Sequence, residues 1–342
     1  MAVTVLGGGS WGTALAQQAS RNGHAVTVWA REAEVVDGIN GGHVNPLFLD
    51  GVPLSPRVKA TSDITASVRG AEMVLIVIPS QFVRSHVVRL RDHLPTGAPI
   101  VICSKGIENA TLATLDQVLE EELPGKYHKQ ISVLSGPSFA REVGLGMPTN
   151  MTVAARDRDA ALAVQRAMST KRFRIYTSSD VVGVETGGAL KNVIAIAAGA
   201  CDGLGLGTNG RAGLITRGLT EMARLAVGMG GRPETLFGLS GLGDLVLTCT
   251  GELSRNRRFG MQLAAGKTVA QIQADMHMVA EGVPTSRSVQ ALAAKLGIDM
   301  PISHQTYQVV HEGKSVRDAM DTLQSRRPRD EWSIEADVAP PV

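Results

Sequence analysis

Lys191 interrupts Gly187-Gly188-Ala189-Leu190-Lys191-Asn192-Val193-Ile194-Ala195-Ile196, a stretch that is otherwise almost purely apolar. Glu185, Gly188 and Lys191 recur at three-residue spacing, near one face of a helix, and the glycine one turn before the lysine leaves room for something to lie there. Lys105 follows directly from the apolar run Ile100–Cys103, in Ser-Lys-Gly. Ligands of open α/β sheets gather there, outside the carboxyl ends of the strands. Partial desolvation beside another cation such as Lys105 depresses the pKa of Lys191 and brings it within range of proton transfer near neutral pH. Asp244, in Gly-Leu-Gly-Asp-Leu, offers a carboxylate that orients Lys191 or accepts from a substrate hydroxyl. Each residue also has a plainer reading: a solvated loop lysine, a snorkelling lysine at a helix start, and an N-cap aspartate.

Two further clusters suit anions. Ser254-Arg255-Asn256-Arg257-Arg258 sets three guanidiniums within four residues, beside small hydrogen-bonding side chains. Arginine forks hold phosphate bidentately, and Ser254 and Asn256 add neutral donors. The alternative is a solvated helix start, and a nucleic-acid patch is disfavoured because no aromatic residues are interleaved. Gly136-Pro137-Ser138, after the apolar run Ile131–Leu134, is a turn whose hydroxyl and backbone N–H groups suit an oxyanion, or an ordinary turn.

Gly7, Gly9 and Gly12 have the GxGxxG spacing. That spacing alone is weak, but here a strand precedes it, a helix follows, and a second strand ends about 20 residues on, as a dinucleotide fold requires. Gly7 permits the tight turn, Gly9 lets the backbone approach a pyrophosphate, and Gly12 lets helix and strand pack, with the helix N-terminus facing the phosphates. Arg31 ends the second strand where a site that prefers NAD carries Asp or Glu, so a 2′-phosphate is accommodated and NADP is favoured, with NAD as second choice.

These residues need a scaffold, and the pattern supplies one. Val3–Leu6, Ala25–Trp29, Met73–Ile78, Ile100–Cys103 and Ile131–Leu134 are short, continuously apolar runs, as strands buried on both faces should be. Helical stretches at Trp11–Asn22, Phe82–Leu94 and Thr111–Leu123 separate them, and Thr152–Ala155 and Arg174–Tyr176 add strands at the far edge. From about Asp180 the chain turns helical, through Val184–Ala200, Ala212–Met229, Arg257–Ala265, Val269–Met276, Thr285–Leu296 and Ser303–Glu312. The expected fold is an α/β N-terminal Rossmann-type doubly wound sheet followed by an all-α C-terminal domain. The expected division is residues 1–179 for the dinucleotide, 180–328 for the substrate, and a tail over 329–342.

The 342 residues suffice for two cores. Lys plus Arg exceed Asp plus Glu by 34 to 32, which argues against a general nucleic-acid or membrane-surface binder. Cys103, Cys201 and Cys249 form no CxxC pair, so neither a disulfide framework nor a metal site is expected, and they read as reduced, packed thiols. The first strand begins almost at Met1, with no room for a secretory signal, and the longest apolar runs fall short of a membrane span, so a cytoplasmic protein is expected.

Taken in order, Gly-Gly-Gly-Ser-Trp-Gly-Thr-Ala-Leu-Ala, the Ser-Lys-Gly-Ile-Glu loop, Gly-Pro-Ser-Phe-Ala-Arg-Glu-Val, Glu-Thr-Gly-Gly-Ala-Leu-Lys-Asn, Gly-Leu-Ser-Gly-Leu-Gly-Asp-Leu-Val-Leu-Thr-Cys-Thr and Leu-Ser-Arg-Asn-Arg-Arg-Phe-Gly closely resemble the NAD(P)-dependent glycerol-3-phosphate dehydrogenases of the bacterial soluble type. The likeness runs from about residue 2 to 325. It implies reduction of dihydroxyacetone phosphate to sn-glycerol 3-phosphate with NADPH or NADH, feeding phospholipid synthesis. By the same resemblance Ser10, Trp11, Arg31, Lys105, Ala140, Arg255, Val279 and Glu281 touch the dinucleotide. Lys105, Gly136, Ser138, Lys191, Asp244, Ser254, Arg255 and Asn256 touch the substrate, and Lys191 gives and takes the proton. A homodimer is an admissible assembly, although no residue pattern specifies it. Phe48 and Asp50 stand where the family often has Tyr and Pro, Gly144 where Ala is common, and Gly251 where Ser is usual; none is a proposed catalytic group. The rivals are a β-hydroxyacid dehydrogenase of the same plan, which would want a carboxylate site rather than Ser254-Arg255-Asn256, and a nucleotide-sensing module without turnover, which has no need of Lys191, Lys105 and Asp244 together.

Overall fold

The computed structural model describes residues 1–276, 279–328 and 331. They form two units, one of residues 1–104 and 115–181 and one of residues 105–114 and 182 onward.

The first unit is built on one sheet of eight strands: β1 (Ala2–Leu6), β2 (Ala25–Trp29), β3 (Val58–Thr61), β4 (Met73–Ile76), β5 (Ile100–Ile102), β6 (Ile131–Ser135), β7 (Thr149–Ala154) and β8 (Phe173–Ser178). Their order is β3-β2-β1-β4-β5-β6-β7-β8. β1 to β6 run parallel, β7 is antiparallel to β6, and β8 is parallel to β7. In register, Val5 stands between Val28 of β2 and Leu75 of β4, so the strand order reverses at β1. That reversal opens the crevice in which doubly wound sheets take their ligand. The inner strands β4 and β5 are buried throughout, whereas β8 at the edge alternates buried and exposed positions. Val3, Val5, Val28, Leu75 and Val101 share a core with Leu15 and Ala19 of the helix Ser10–Arg21. β3 is an eighth strand that the apolar pattern does not announce.

The second unit is helical. Its central helix, Val181–Gly203, is long and apolar enough to cross a membrane by length and composition, but 89% of its most apolar stretch is buried inside the protein. A helix apolar on all sides belongs to a core. Leu190, Val193 and Ile194 pack with Met222 and Leu225 of the helix Gly207–Gly228, Leu245 of Asp244–Thr250, and Val289 of Gly282–Leu296. The helix Arg255–Ala264 crosses the central helix backbone to backbone: a Cβ added to Gly199 would lie 1.9 Å from the Arg257 carbonyl oxygen, and one added to Gly260 would lie 1.9 Å from that of Ile196. Glu221, on Gly207–Gly228, accepts hydrogen bonds from the backbone N–H groups of Ile302 and Ser303 and from the Ser303 hydroxyl. It thereby caps the helix Pro301–His311 across a tertiary contact. A last helix, Val316–Gln324, starts on a Ser315 cap.

Residues 105–114 group with the helical unit, although they lie inside the 1–179 span expected for the dinucleotide. Ile107 and Leu112 enter the core of the helical unit, and the Ser288 hydroxyl donates to the Ile107 carbonyl at 3.2 Å. The bridge between Ile107 and Thr114 also delays the helix expected from Thr111, which begins at Leu115. All three cysteines are free and buried. Apart from Glu331, the expected tail over 329–342 lies outside the described residues.

Candidate active site

In the helical unit, the loop before Asp244 is seated by glycines. A Cβ on Gly241 would lie 2.1 Å from the Leu236 carbonyl oxygen, and one on Gly187 of the central helix 2.5 Å from that of Ser240. Leu239–Gly243 thus winds tightly against the central helix and launches Asp244–Thr250 with the Asp244 side chain fully enclosed. A buried carboxylate needs counter-charge. Lys105 Nζ donates to Asp244 Oδ2 at 2.6 Å, and Lys191 Nζ donates to Oδ1 at 2.5 Å. Lys191 also donates to Thr248 Oγ1 at 3.1 Å, and that hydroxyl donates to the Asp244 carbonyl one turn back. Burial pushes the Lys191 ammonium down to about 7; Asp244 opposes the shift and the charge of Lys105 adds to it. The structure therefore holds a lysine able to exchange a proton near neutral pH. The N-cap alternative for Asp244 fails, because Gly243 takes that position and the carboxylate is engaged by the lysines.

The Ser254–Arg258 cluster divides its labour. Ser254 Oγ accepts from the Arg257 N–H and caps the helix while buried, so the start is not solvated there, and its hydroxyl hydrogen is left to donate. Asn256 donates to Asn192 Oδ1 at 2.9 Å and accepts from the Gly282 N–H at 3.0 Å. It thereby ties the neighbour of Lys191 to the start of Gly282–Leu296. Burial lowers the pKa of Arg255 from its ordinary value, against the pull of Glu281 and with the push of Arg258. Arg257 is paired to Asp202, and Arg258 is exposed. Val279 is exposed and Glu281 precedes the helix Gly282–Leu296.

In the first unit, the three motif glycines behave as their spacing demands. Gly7 has φ +126°, and a Cβ there would lie 2.6 Å from the Val77 carbonyl oxygen. One on Gly12 would lie 1.9 Å from the Gly7 carbonyl oxygen, whereas Gly9 has nothing within 4 Å. The helix Ser10–Arg21 has neither a side-chain cap nor an acidic residue in its first turn, so no side chain there answers its leading N–H groups and dipole. Trp11 Nε1 is buried without an acceptor. An uncapped helix end, an open glycine and an orphaned donor together fit a dinucleotide pyrophosphate. Arg31 is 85% exposed and binds Glu32 at 2.8 Å, so the cation that would read a 2′-phosphate is shared with a carboxylate. Ala140 opens the helix Ala140–Leu145 and rests on the core. Gly136, with φ +143°, opens the turn after β6, and Ser138 Oγ donates to its carbonyl at 3.0 Å.

The chain matches the NAD-dependent glycerol-3-phosphate dehydrogenase N-terminus over residues 2–161 and the C-terminus of the same family over residues 180–321. It is 53% identical over 328 residues to the glycerol-3-phosphate dehydrogenase [NAD(P)+] of Myxococcus xanthus, covering 96% of this chain and 98% of the relative. This chain belongs to the NAD-dependent glycerol-3-phosphate dehydrogenase family. The crystal structure of the Coxiella burnetii glycerol-3-phosphate dehydrogenase superposes with a TM-score of 0.90 at 39% identity, over 95% of this chain and 99% of that one. A ketopantoate reductase from Ralstonia eutropha, at 18% identity and a TM-score of 0.57, shares the fold alone, over 95% of this chain and all of that one.

Of the residues singled out by sequence, the structure brings Lys105, Lys191 and Asp244 into direct contact, and sets Asn256 beside Asn192. It leaves Ser138 bonded within its own turn and Arg31 bonded to Glu32. Sequence reasoning missed Thr248, one turn after Asp244, although that spacing marks the same helix face. It also missed Asn45. This buried side chain donates to the Gly8 carbonyl at 2.8 Å and to Thr13 Oγ1 at 2.7 Å, and accepts from the Phe48 N–H. It clamps the glycine loop from below, and only the turn-like Asn45-Pro46 pair hinted at it.

Proposed function

We propose that this chain reduces dihydroxyacetone phosphate to sn-glycerol 3-phosphate, reversibly, with NADPH or NADH, and so supplies the glycerol backbone of phospholipids. The observation that carries the reading is the buried Lys105–Asp244–Lys191 group, two ammoniums sharing one carboxylate. When bound, the reduced nicotinamide supplies a hydride to the carbonyl carbon. Lys191 gives its proton to the carbonyl oxygen as that oxygen gains charge, and takes it back in the reverse direction. Lys105 holds positive charge close by, and Asp244 fixes both ammoniums. Ser254, Arg255 and Asn256 grip the phosphate, with Gly136 and Ser138 as further substrate contacts. Ser10, Trp11, Arg31, Ala140, Val279 and Glu281 serve the cofactor. A cytoplasmic location and a homodimer without nucleic-acid or membrane partners belong to the same proposal; the burial of the apolar central helix supports the location.

The phosphate grip decides which ketone is the substrate. Arg255→Ala should cost about 2–5 kcal/mol in kcat/KM for dihydroxyacetone phosphate, the scale for truncating one partner of a buried charge pair. The loss should nearly vanish for dihydroxyacetone, which never uses the contact. An equal fall for both ketones, with NADPH affinity measured separately, would remove the basis of the assignment.

A further inference from the structure

Three arginines follow Ser254, yet their surroundings differ. Arg257 Nε donates to Asp202 Oδ2 at 2.7 Å, and Arg211 Nη1 donates to Asp202 Oδ1 at 2.9 Å and Oδ2 at 3.1 Å. The side chains of Arg257 and Asp202 are 14% and 12% exposed. One carboxylate therefore joins three helices, Val181–Gly203, Gly207–Gly228 and Arg255–Ala264.

The glycine crossing of the central helix and Arg255–Ala264 fixes how closely they approach. Ile196 packs with Phe259 and Leu263 beside that contact, toward the later turns of Arg255–Ala264. Two polar tethers act on its first turn. Asn256 bonds Asn192, and Arg257, the next residue, bonds Asp202. Their partners stand ten residues apart on the central helix, about 15 Å along its axis, so movement in either direction stretches one of the two bonds.

We propose that Asp202 and Arg257 are positioning residues for the phosphate grip. They set the rotation of the first turn of Arg255–Ala264, so that Arg255 and Asn256 face the ligand while Arg257 is withheld from it. The inference rests on the phosphate reading of Ser254, Arg255 and Asn256 given above.

The test compares dihydroxyacetone phosphate with dihydroxyacetone in Asp202→Asn and Arg257→Gln. Each variant should raise KM for the phosphorylated ketone roughly 10-fold and leave kcat within about 2-fold. KM for dihydroxyacetone should stay unchanged, and NADPH affinity is measured separately, because Arg255 is also expected at the dinucleotide. The double variant should be no worse than Asp202→Asn alone, because that substitution already breaks the link that Arg257→Gln removes, along with the bond from Arg211. Arg257→Lys and Asp202→Glu should recover part of the loss, and they carry the test if the first pair does not fold. Equal losses on both ketones would mean a general structural role and overturn the proposal. So would a raised KM in Arg257→Gln with a normal one in Asp202→Asn, which would make Arg257 a phosphate ligand itself. The underlying reading fails separately: wild type and Arg255→Ala would then discriminate equally between the two ketones.

Discussion

Lys105 and Lys191 stand on the two oxygens of one buried carboxylate, that of Asp244, at 2.6 and 2.5 Å. Burial first, and the like charge of Lys105 second, reduce the affinity of Lys191 for its proton, while Asp244 opposes both.

That relationship sets the direction of the pH dependence. Below about 7 Lys191 carries a proton to give, and above it the amine is free to take one. The rate of ketone reduction should fall as pH rises through about 7, and the reverse oxidation should rise through the same range. Lys105→Met removes a like charge and should move both profiles to higher pH; Asp244→Asn removes the counter-charge and should move them lower. Lys191→Ala should flatten the profiles and lower kcat by roughly 10²–10⁴ while NADPH still binds. Profiles that stay in place in the Lys105 and Asp244 variants would refute the coupling.

Asn45 supports the cofactor loop without facing outward. Asn45→Ala removes a buried donor from the Gly8 carbonyl and the Thr13 hydroxyl and leaves them only their own 3.4 Å bond, which should cost about 1–3 kcal/mol of stability. It should also weaken NADH and NADPH alike, since neither bond involves the adenosine end. Titration of both cofactors by fluorescence would check this, and selective weakening of one would contradict it.

Cofactor preference should turn on the Arg31–Glu32 pair. Arg31→Asp should weaken NADPH far more than NADH. Glu32→Gln releases the guanidinium and should strengthen NADPH specifically. Equal effects on both cofactors would mean that Arg31 only stacks on adenine.

Glu221 gives the helical unit a pH-dependent stability. Burial raises its folded pKa to about 7 from 4.5, although three hydrogen bonds pull it back. Between those values the folded state holds more protons than the unfolded one, so this contribution is complete below the unfolded value and is lost as pH rises through about 7. The change should be about 3 kcal/mol across the window, and Glu221→Gln should largely abolish it. Denaturant midpoints measured at several pH values would decide; an unchanged slope in the variant would exclude Glu221 as the source.

The legible parts of the molecule were those whose cause is local. Gly7 and Gly12 declared their roles because a Cβ at either would run into a backbone carbonyl oxygen. Lys191 stood out because a charge in an apolar helix requires a partner, and Asp244 was the nearest candidate in type. What stayed hidden depends on distant chain. β3 is four residues with only Val58 fully buried, too short for a pattern. Val316–Gln324 was legible but missed: Val316, Met320 and Leu323 recur at helical spacing and pack against the helical core. The reversal of β7 against β6 is not readable from Thr149–Ala154, because six residues that are partly alternating and partly buried throughout fit either direction. Asn45 acts on Thr13 from 32 positions away, and no spacing rule reaches that far.

The placement of residues 105–114 in the helical unit bears on inheritance and engineering. A gene fragment beginning at codon 182 would encode Lys191, Asp244 and Thr248 but not Lys105. A chimaera joined at that boundary would combine a Lys105 from one parent with an Asp244 from the other. Domain shuffling in this architecture therefore cannot exchange the reaction centre as a block unless a ten-residue insert travels with it.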